Sequence, residues 1–486
     1  MKIVIASVEV SPIAKTGGLG DVCGSLPKAL QKLGHDVGVF MPLHRQAREW
    51  LEKNNADVQL AVPQQQMTWA NWTSDLTLLR TNLPGTDIPL ILVANDHLFN
   101  RDSIYGTRFG HDDSLERFAY FCRAVIRGCE VLGIRPDIVH AHDWHTALLP
   151  AYIHSGLRAT DTFRNTRSVY TIHNLNYQGI FPREKFDFLG LHSRYFAPDA
   201  LEHYGNINLM KGGILLADQV TTVSPNYARE IRSSALGAGL DGVLRHIGSR
   251  LTGILNGIDA EEWNPLTDEH LPAHFEPGKL HGKTINKRML AKEVGLKYKA
   301  KTPLIGIVSR LVGQKGFQLL LPVLSTVLRA GAQMVVLGSG ERDYENAFRA
   351  AAATFPDSIA SIIGFDNDLA HRIYAGADLL LMPSIYEPCG LNQMYALRYG
   401  TLPIVRLTGG LADTVIPFDG TNSSEATGFG FLSRDARDLY FATWIGMLNF
   451  NNTRVWKTLQ ANGMSKDFSW ERSARQYEEV YQRAHH

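Results

Sequence analysis

Along most of the chain, short apolar runs alternate with longer stretches whose apolar positions recur at helical spacing. That alternation marks βα units joined into parallel sheets covered on both faces. In the first half, strands are expected at residues 2–8, 37–41, 90–94, 138–140, 169–172 and 219–223. In the second half they are expected at 304–308, 334–337, 361–363, 378–382 and 402–405, with amphipathic helices at 317–329 and 343–354. After the apolar stretch 251–255, residues 263–282 carry Pro, His, Asp and Glu without periodicity and read as a surface insertion or linker. The final segment, 470–486, reads as a charged helix with Tyr477, Val480 and Tyr481 near helical spacing.

One hexapeptide returns. Thr16-Gly17-Gly18-Leu19-Gly20-Asp21 is echoed by Thr408-Gly409-Gly410-Leu411-Ala412-Asp413, each time where a strand pattern gives way to a helix pattern. Paired glycines let backbone amides approach a ligand, and a helix N-terminus adds partial positive charge. Two such loops in opposite halves suggest two related nucleotide-type domains. A chain of 486 residues supports that division. The expected fold class is α/β, with Rossmann-like domains at 1–245 and 246–460, and a terminal helix within 461–486 that crosses back to the first.

Composition narrows the partners. Lys plus Arg total 49 against 48 for Asp plus Glu, so the net charge of +1 offers no global field for nucleic acid or an acidic membrane. Neither is expected as a partner, and any anion site must be local. The four cysteines form no Cys-x-x-Cys pair and no disulfide framework, which fits a reducing cytoplasm. Glu9 cuts short the apolar start, so residues 2–8 read as a buried strand rather than a leader, and no run is long enough to cross a bilayer.

Four constellations lie at expected strand ends, the edge where open α/β sheets bind ligands. Arg310 and Lys315 flank a turn ending at Gly316, and two cations there can both reach a diphosphate, one as a fork and one as a point charge. Glu387 precedes Cys389-Gly390-Leu391-Asn392; its carboxylate can hold two sugar hydroxyls or serve as a first-turn charge, and the Gly390–Asn392 amides open a helix as an anion nest. His140-Ala141-His142-Asp143-Trp144-His145 reads as a metal site or as a sugar-binding cluster of Asp143, Trp144 and His145. No Cys or carboxylate cluster elsewhere completes the metal set, which favours sugar. His173-Asn174 ends another strand, and its imidazole reads as structural or as part of the edge site. Asp366-Asn367-Asp368 has the form of a metal-binding Asp-x-Asp, yet fits a helix N-cap before 369–375, and the cap is preferred because basic groups already neutralise phosphate.

Taken together and in order, these segments resemble the family of bacterial glycogen synthases and plant starch synthases, retaining glucosyltransferases. The carrying motifs are Lys15-Thr-Gly-Gly-Leu-Gly-Asp21, His140-Ala-His-Asp-Trp-His145, Thr171-Ile-His-Asn-Leu175, Leu255-Asn-Gly-Ile-Asp259, Ser309-Arg-Leu311 with Gln-Lys-Gly316, Pro383-Ser384 with Glu387-Pro-Cys-Gly-Leu391, and Thr408-Gly-Gly-Leu-Ala-Asp413. The resemblance implies a two-Rossmann (GT-B) enzyme that moves glucose from ADP-glucose to the nonreducing 4-hydroxyl of an α-1,4-glucan such as glycogen, needing no cofactor or metal. It implies an acceptor-side first domain and a nucleotide-sugar-binding second domain, with the active site between them. His173, Arg310, Lys315 and Glu387 are the implied catalytic set. Lys15, Gly17, Gly18 and Asp21 would meet the donor across the cleft, and Asp143, Asn174 and Asn256 would join His173 around the glucose and phosphate. Cys389, Gly390, Leu391, Asn392, Thr408, Gly409 and Gly410 complete the implied substrate-binding set. Phe365 stands where relatives often carry an adenine-stacking Tyr, and Asn392 where Thr is often found.

Overall fold

The computed structural model describes residues 1–106 and 111–485. It divides into two units, Met1–Gly257 joined by the C-terminal segment from Trp470, and Ile258–Ser469.

The first unit is built on a nine-stranded sheet. Its strands are β1 (Lys2–Ala6), β2 (Asp36–Pro42), β3 (Gln59–Trp69), β4 (Trp72–Asn82), β5 (Pro89–Ala94), β6 (Ile138–His142) and β7 (Arg167–Ile172), and later β11 (Gln219–Thr222) and β12 (Leu251–Gly253). They lie in the order β12-β11-β7-β6-β1-β2-β5-β4-β3. All pairings are parallel except those of β4 with β3 and β5. Every residue of β6 is buried, as expected of a strand covered on both faces. The strand order reverses between β1 and β6, making their carboxyl ends the switch point of this sheet. Between β7 and β11 a small antiparallel sheet forms from β8 (Ile180–Pro182), β9 (Glu202–His203) and β10 (Asn206–Asn208).

In the second unit, β13 (Leu304–Val308), β14 (Gln333–Gly338), β15 (Ile359–Ile363), β16 (Leu379–Met382), β17 (Leu402–Arg406) and β18 (Phe429–Phe431) form a wholly parallel sheet, ordered β15-β14-β13-β16-β17-β18. Its switch point lies between β13 and β16. Ile305, Ile307, Val336, Leu381 and Ile404 fill the core with Leu320, Val327 and Phe348 from the covering helices.

Three sequence expectations need correction. The first unit runs to Gly257, not residue 245, because β12 pairs with β11 and extends that sheet. Residues 461–469 stay with the second unit, where Ile258 N donates to Phe468 O at 2.8 Å, and the helix Trp470–His485 alone joins the first. The stretch 263–282 is no loose insertion: Trp263 stacks between His371 and Tyr395 at ring separations of 3.9 and 3.8 Å, and Phe275 is buried. The antiparallel hairpin β3–β4 extends the sheet beyond β5 with two strands that no apolar run marks.

Candidate active site

Each switch point gathers one group of the expected residues. In the first unit, β1 ends at Ala6 and the chain loops to the helix Gly18–Lys32. Beneath that loop lies Glu9, a buried carboxylate that in the sequence marks only the end of an apolar run. Its Oε2 accepts hydrogen bonds from Thr16 N at 2.5 Å and Gly17 N at 2.9 Å, while the Tyr105 hydroxyl donates to Oε1. Burial pushes the Glu9 carboxyl above the usual range, against the pull of these donors. The Gly17 amide is therefore committed to Glu9. Lys15 is likewise paired, its Nζ 2.6 Å from Asp21 Oδ1.

On the other side of that switch point β6 ends at His142, and Asp143 follows with φ of 56°, a left-handed conformation uncommon outside glycine. The turn aims its carboxylate at the end of β7, where Oδ1 accepts from His173 N at 2.8 Å and Asn174 N at 3.4 Å. Burial raises the Asp143 carboxyl to about 7 despite these two donors. His173 Nε2 lies 2.9 Å from His142 Nδ1. His140 Nδ1 meets the Tyr481 hydroxyl at 2.9 Å and its Nε2 meets Thr171 Oγ1 at 2.6 Å. His145 is enclosed by the rings of Tyr105, Phe118 and Trp144. Asn256, beyond β12, is buried, and its Oδ1 has no partner among the described residues.

In the second unit, β13 and β16 bring Arg310, Lys315 and Glu387 to one edge. Lys315 Nζ is 2.6 Å from Glu387 Oε2, and Ser384 Oγ donates to the same oxygen at 2.9 Å. The loops are stitched by Ile385 N donating to Gln314 O at 2.8 Å. Arg310 is exposed and its guanidinium bonds no described residue. Cys389 is buried and Gly390 adopts φ of 70°. The Asn392 amide donates to Val308 O and so ties the helix Asn392–Arg398 to the end of β13. Phe365, 90% exposed, follows β15 at the same edge, two strands from β13. Asp366 caps the next helix by accepting from Leu369 N at 2.8 Å.

The two glycine loops differ in what surrounds them. A Cβ on Gly17 or Gly18 would meet nothing within 4 Å. On Gly409 it would fall 1.9 Å from Glu387 O, and on Gly410 2.0 Å from Cys389 O. The first loop is open, whereas Gly409 and Gly410 pack against the Glu387–Cys389 backbone.

Among the described residues, the one cluster able to bring three metal-ligating side chains together is Asp268, His270 and His371, not the histidines of 140–145. There Asp268 already accepts from Tyr399 Oη, His371 Nδ1 and His270 N, the bonding of a buried structural carboxylate. A cavity of about 900 Å³ lies elsewhere, against the β3–β4 hairpin, lined by Trp69, Trp72, Asp75 and Glu116. None of the expected site residues lines it.

Residues 2–246 match the starch synthase catalytic domain family, and residues 292–439 match glycosyl transferases group 1. A glycogen synthase of Thermotoga maritima is 43% identical over 485 residues, covering 100% of this chain and 99% of its own. One from Anaeromyxobacter dehalogenans is 45% identical, covering 99% of each chain. Among solved structures, the catalytic domain of starch synthase IV from Arabidopsis thaliana, bound to ADP and acarbose, superposes with a TM-score of 0.90 at 34% identity, covering 100% of this chain and 99% of that one.

Proposed function

The chain belongs to the glycogen and starch synthase family, and we propose that it transfers glucose from ADP-glucose to the nonreducing-end 4-hydroxyl of an α-1,4-glucan, with retention at the anomeric carbon. The observation that carries the reading is the Lys315–Glu387 contact at the β13/β16 switch point, with the uncommitted Arg310 beside it.

The charges account for the chemistry. Breaking the bond between the sugar C1 and the β-phosphate oxygen sends the electron pair to ADP and leaves positive character on the sugar. Arg310 and Lys315 stabilise the departing diphosphate as its charge grows, in a setting already organised by Ser384 and Glu387. Glu387 orients Lys315 and stands ready for sugar hydroxyls. Asp143 fixes the His173–Asn174 backbone that borders the glucose, and Asn256 brings an unspent amide oxygen. The acceptor O4 bonds to C1 on the face the phosphate leaves, and its proton passes to the departing phosphate. Catalysis then rests on positioning and leaving-group stabilisation, without a separate base. Lys15 exchanges Asp21 for donor phosphate. A cytoplasmic setting belongs to the same reading, supported by four buried cysteines that form no disulfide with one another.

Incubation with ADP-[14C]glucose or UDP-[14C]glucose, with and without glycogen, tests the reading. Label should enter glycogen from ADP-glucose. Preference for UDP-glucose would reassign the donor, and no transfer from either would leave a glucan-binding protein without the chemistry.

A further inference from the structure

Behind His173 lies a row of mutually tilted imidazoles. The His140 and His142 rings are 4.1 Å apart, and the His142 and His173 rings 5.2 Å apart. Burial holds His142 well below the usual histidine range and lowers His173 to about 3, so each ring carries one proton near neutral pH. The 2.9 Å contact between His142 Nδ1 and His173 Nε2 then needs one donor and one acceptor.

Only two arrangements are possible. If His173 donates from Nε2, the His142 proton sits on its own Nε2. If His142 donates from Nδ1, its Nε2 is a bare lone pair and the His173 proton sits on Nδ1. His142 Nε2 is buried and has no partner among the described residues. The first arrangement strands a buried N–H donor, while the second leaves an acceptor unmet, which folded interiors tolerate more readily. His140, fixed at both nitrogens by Tyr481 and Thr171, holds the His142 ring from behind.

We propose that His142 is a positioning residue that fixes His173 as the Nδ1–H tautomer, so that the ring presents a donor and no basic lone pair to a sugar hydroxyl. His173 is partly exposed, and its Nδ1 bonds no described residue. The inference rests on the reading of His173 as a glucose-contacting group, and it deepens that reading: His173 holds a hydroxyl oxygen and does not act as a general base. The tautomer runs against free histidine, which favours the proton on Nε2.

Long-range 1H–15N correlation on [15N]histidine-labelled full-length protein reads the tautomer directly, with His173 assigned by difference against His173→Asn. The expected spectrum has a protonated Nδ1 and a bare Nε2 for His173. In His142→Leu the pattern should revert toward that of free histidine, and in His142→Gln, whose amide can donate to Nε2, it should persist. Alongside, kcat should fall about ten-fold in His142→Leu, the scale of one lost neutral hydrogen bond, with donor KM little changed and partial rescue by Gln. A protonated Nε2 in the wild type overturns the proposal, as does an unchanged tautomer in His142→Leu. Should His142→Leu not fold, the wild-type and His142→Gln spectra decide. A wild type with the Nδ1–H tautomer but no glucosyl transfer would remove the functional reading and leave the tautomer assignment standing.

Discussion

Asp143 combines three unusual features: burial, a left-handed backbone and a carboxyl raised to about 7. Its protonation is linked to folding. Between an ordinary value of 3.8 and about 7, the folded chain holds the proton and the unfolded chain does not, so stability falls as pH rises through that window. Asparagine matches the aspartate in shape and can still accept from His173 and Asn174, so Asp143→Asn should fold. Urea unfolding at intervals from pH 4 to 7 should show the wild type losing stability relative to Asp143→Asn as pH rises, by a few kcal/mol at most (about 1.4 kcal/mol per pH unit). A constant difference between the two would show that Asp143 is ionised throughout. Burial of this carboxylate was not legible from the HAHDWH letters. It follows from β6 continuing to His142, which draws Asp143 beneath the end of β7.

Elements decide what the repeated hexapeptide does. The first copy opens the helix Gly18–Lys32 with clear space above its glycines, and the second is wedged against the Glu387–Cys389 backbone. Gly17→Ala is therefore expected to leave thermal stability within about 0.5 kcal/mol of wild type while lowering transfer by crowding the donor. Gly410→Ala should cost about 1–3 kcal/mol or more by forcing the Cys389 backbone away. Calorimetry on both variants checks the contrast, and equal losses would refute it. Apolar runs revealed nearly all the parallel strands, because strands buried on both faces have few polar letters. The same criterion passed over β3 and β4, where Gln64, Gln65 and Gln66 break the run in a hairpin whose outer face meets water. Glu9 was hidden for the converse reason. A lone charge after a strand has no spacing that reveals two backbone amides waiting above it.

For the whole molecule, the chain leaves the first unit at Gly257, builds the second and returns at Trp470. The returning helix buries Tyr477, Val480 and Tyr481, and Ser473 Oγ donates to Leu255 O at 2.6 Å. Each aromatic lost from such a core costs about 3–5 kcal/mol, which is comparable with the stability of a typical domain. A chain ending after Ser469 should therefore lose hydrogen-exchange protection in β1, β6 and β7 while β13 and β16 keep theirs. Undiminished protection in β6 would show that the helix is dispensable. The same architecture puts Arg310 at a sheet switch point with its guanidinium bonding no described residue, so truncating it separates chemistry from folding. The decisive measurement is transfer of [14C]glucose from ADP-glucose to glycogen by wild type and Arg310→Ala at matched concentration. Rapid transfer by the wild type is expected, with a loss of about 100-fold or more in kcat for an equally stable variant; no transfer by folded wild type, or near-normal turnover by Arg310→Ala, would contradict leaving-group stabilisation by Arg310.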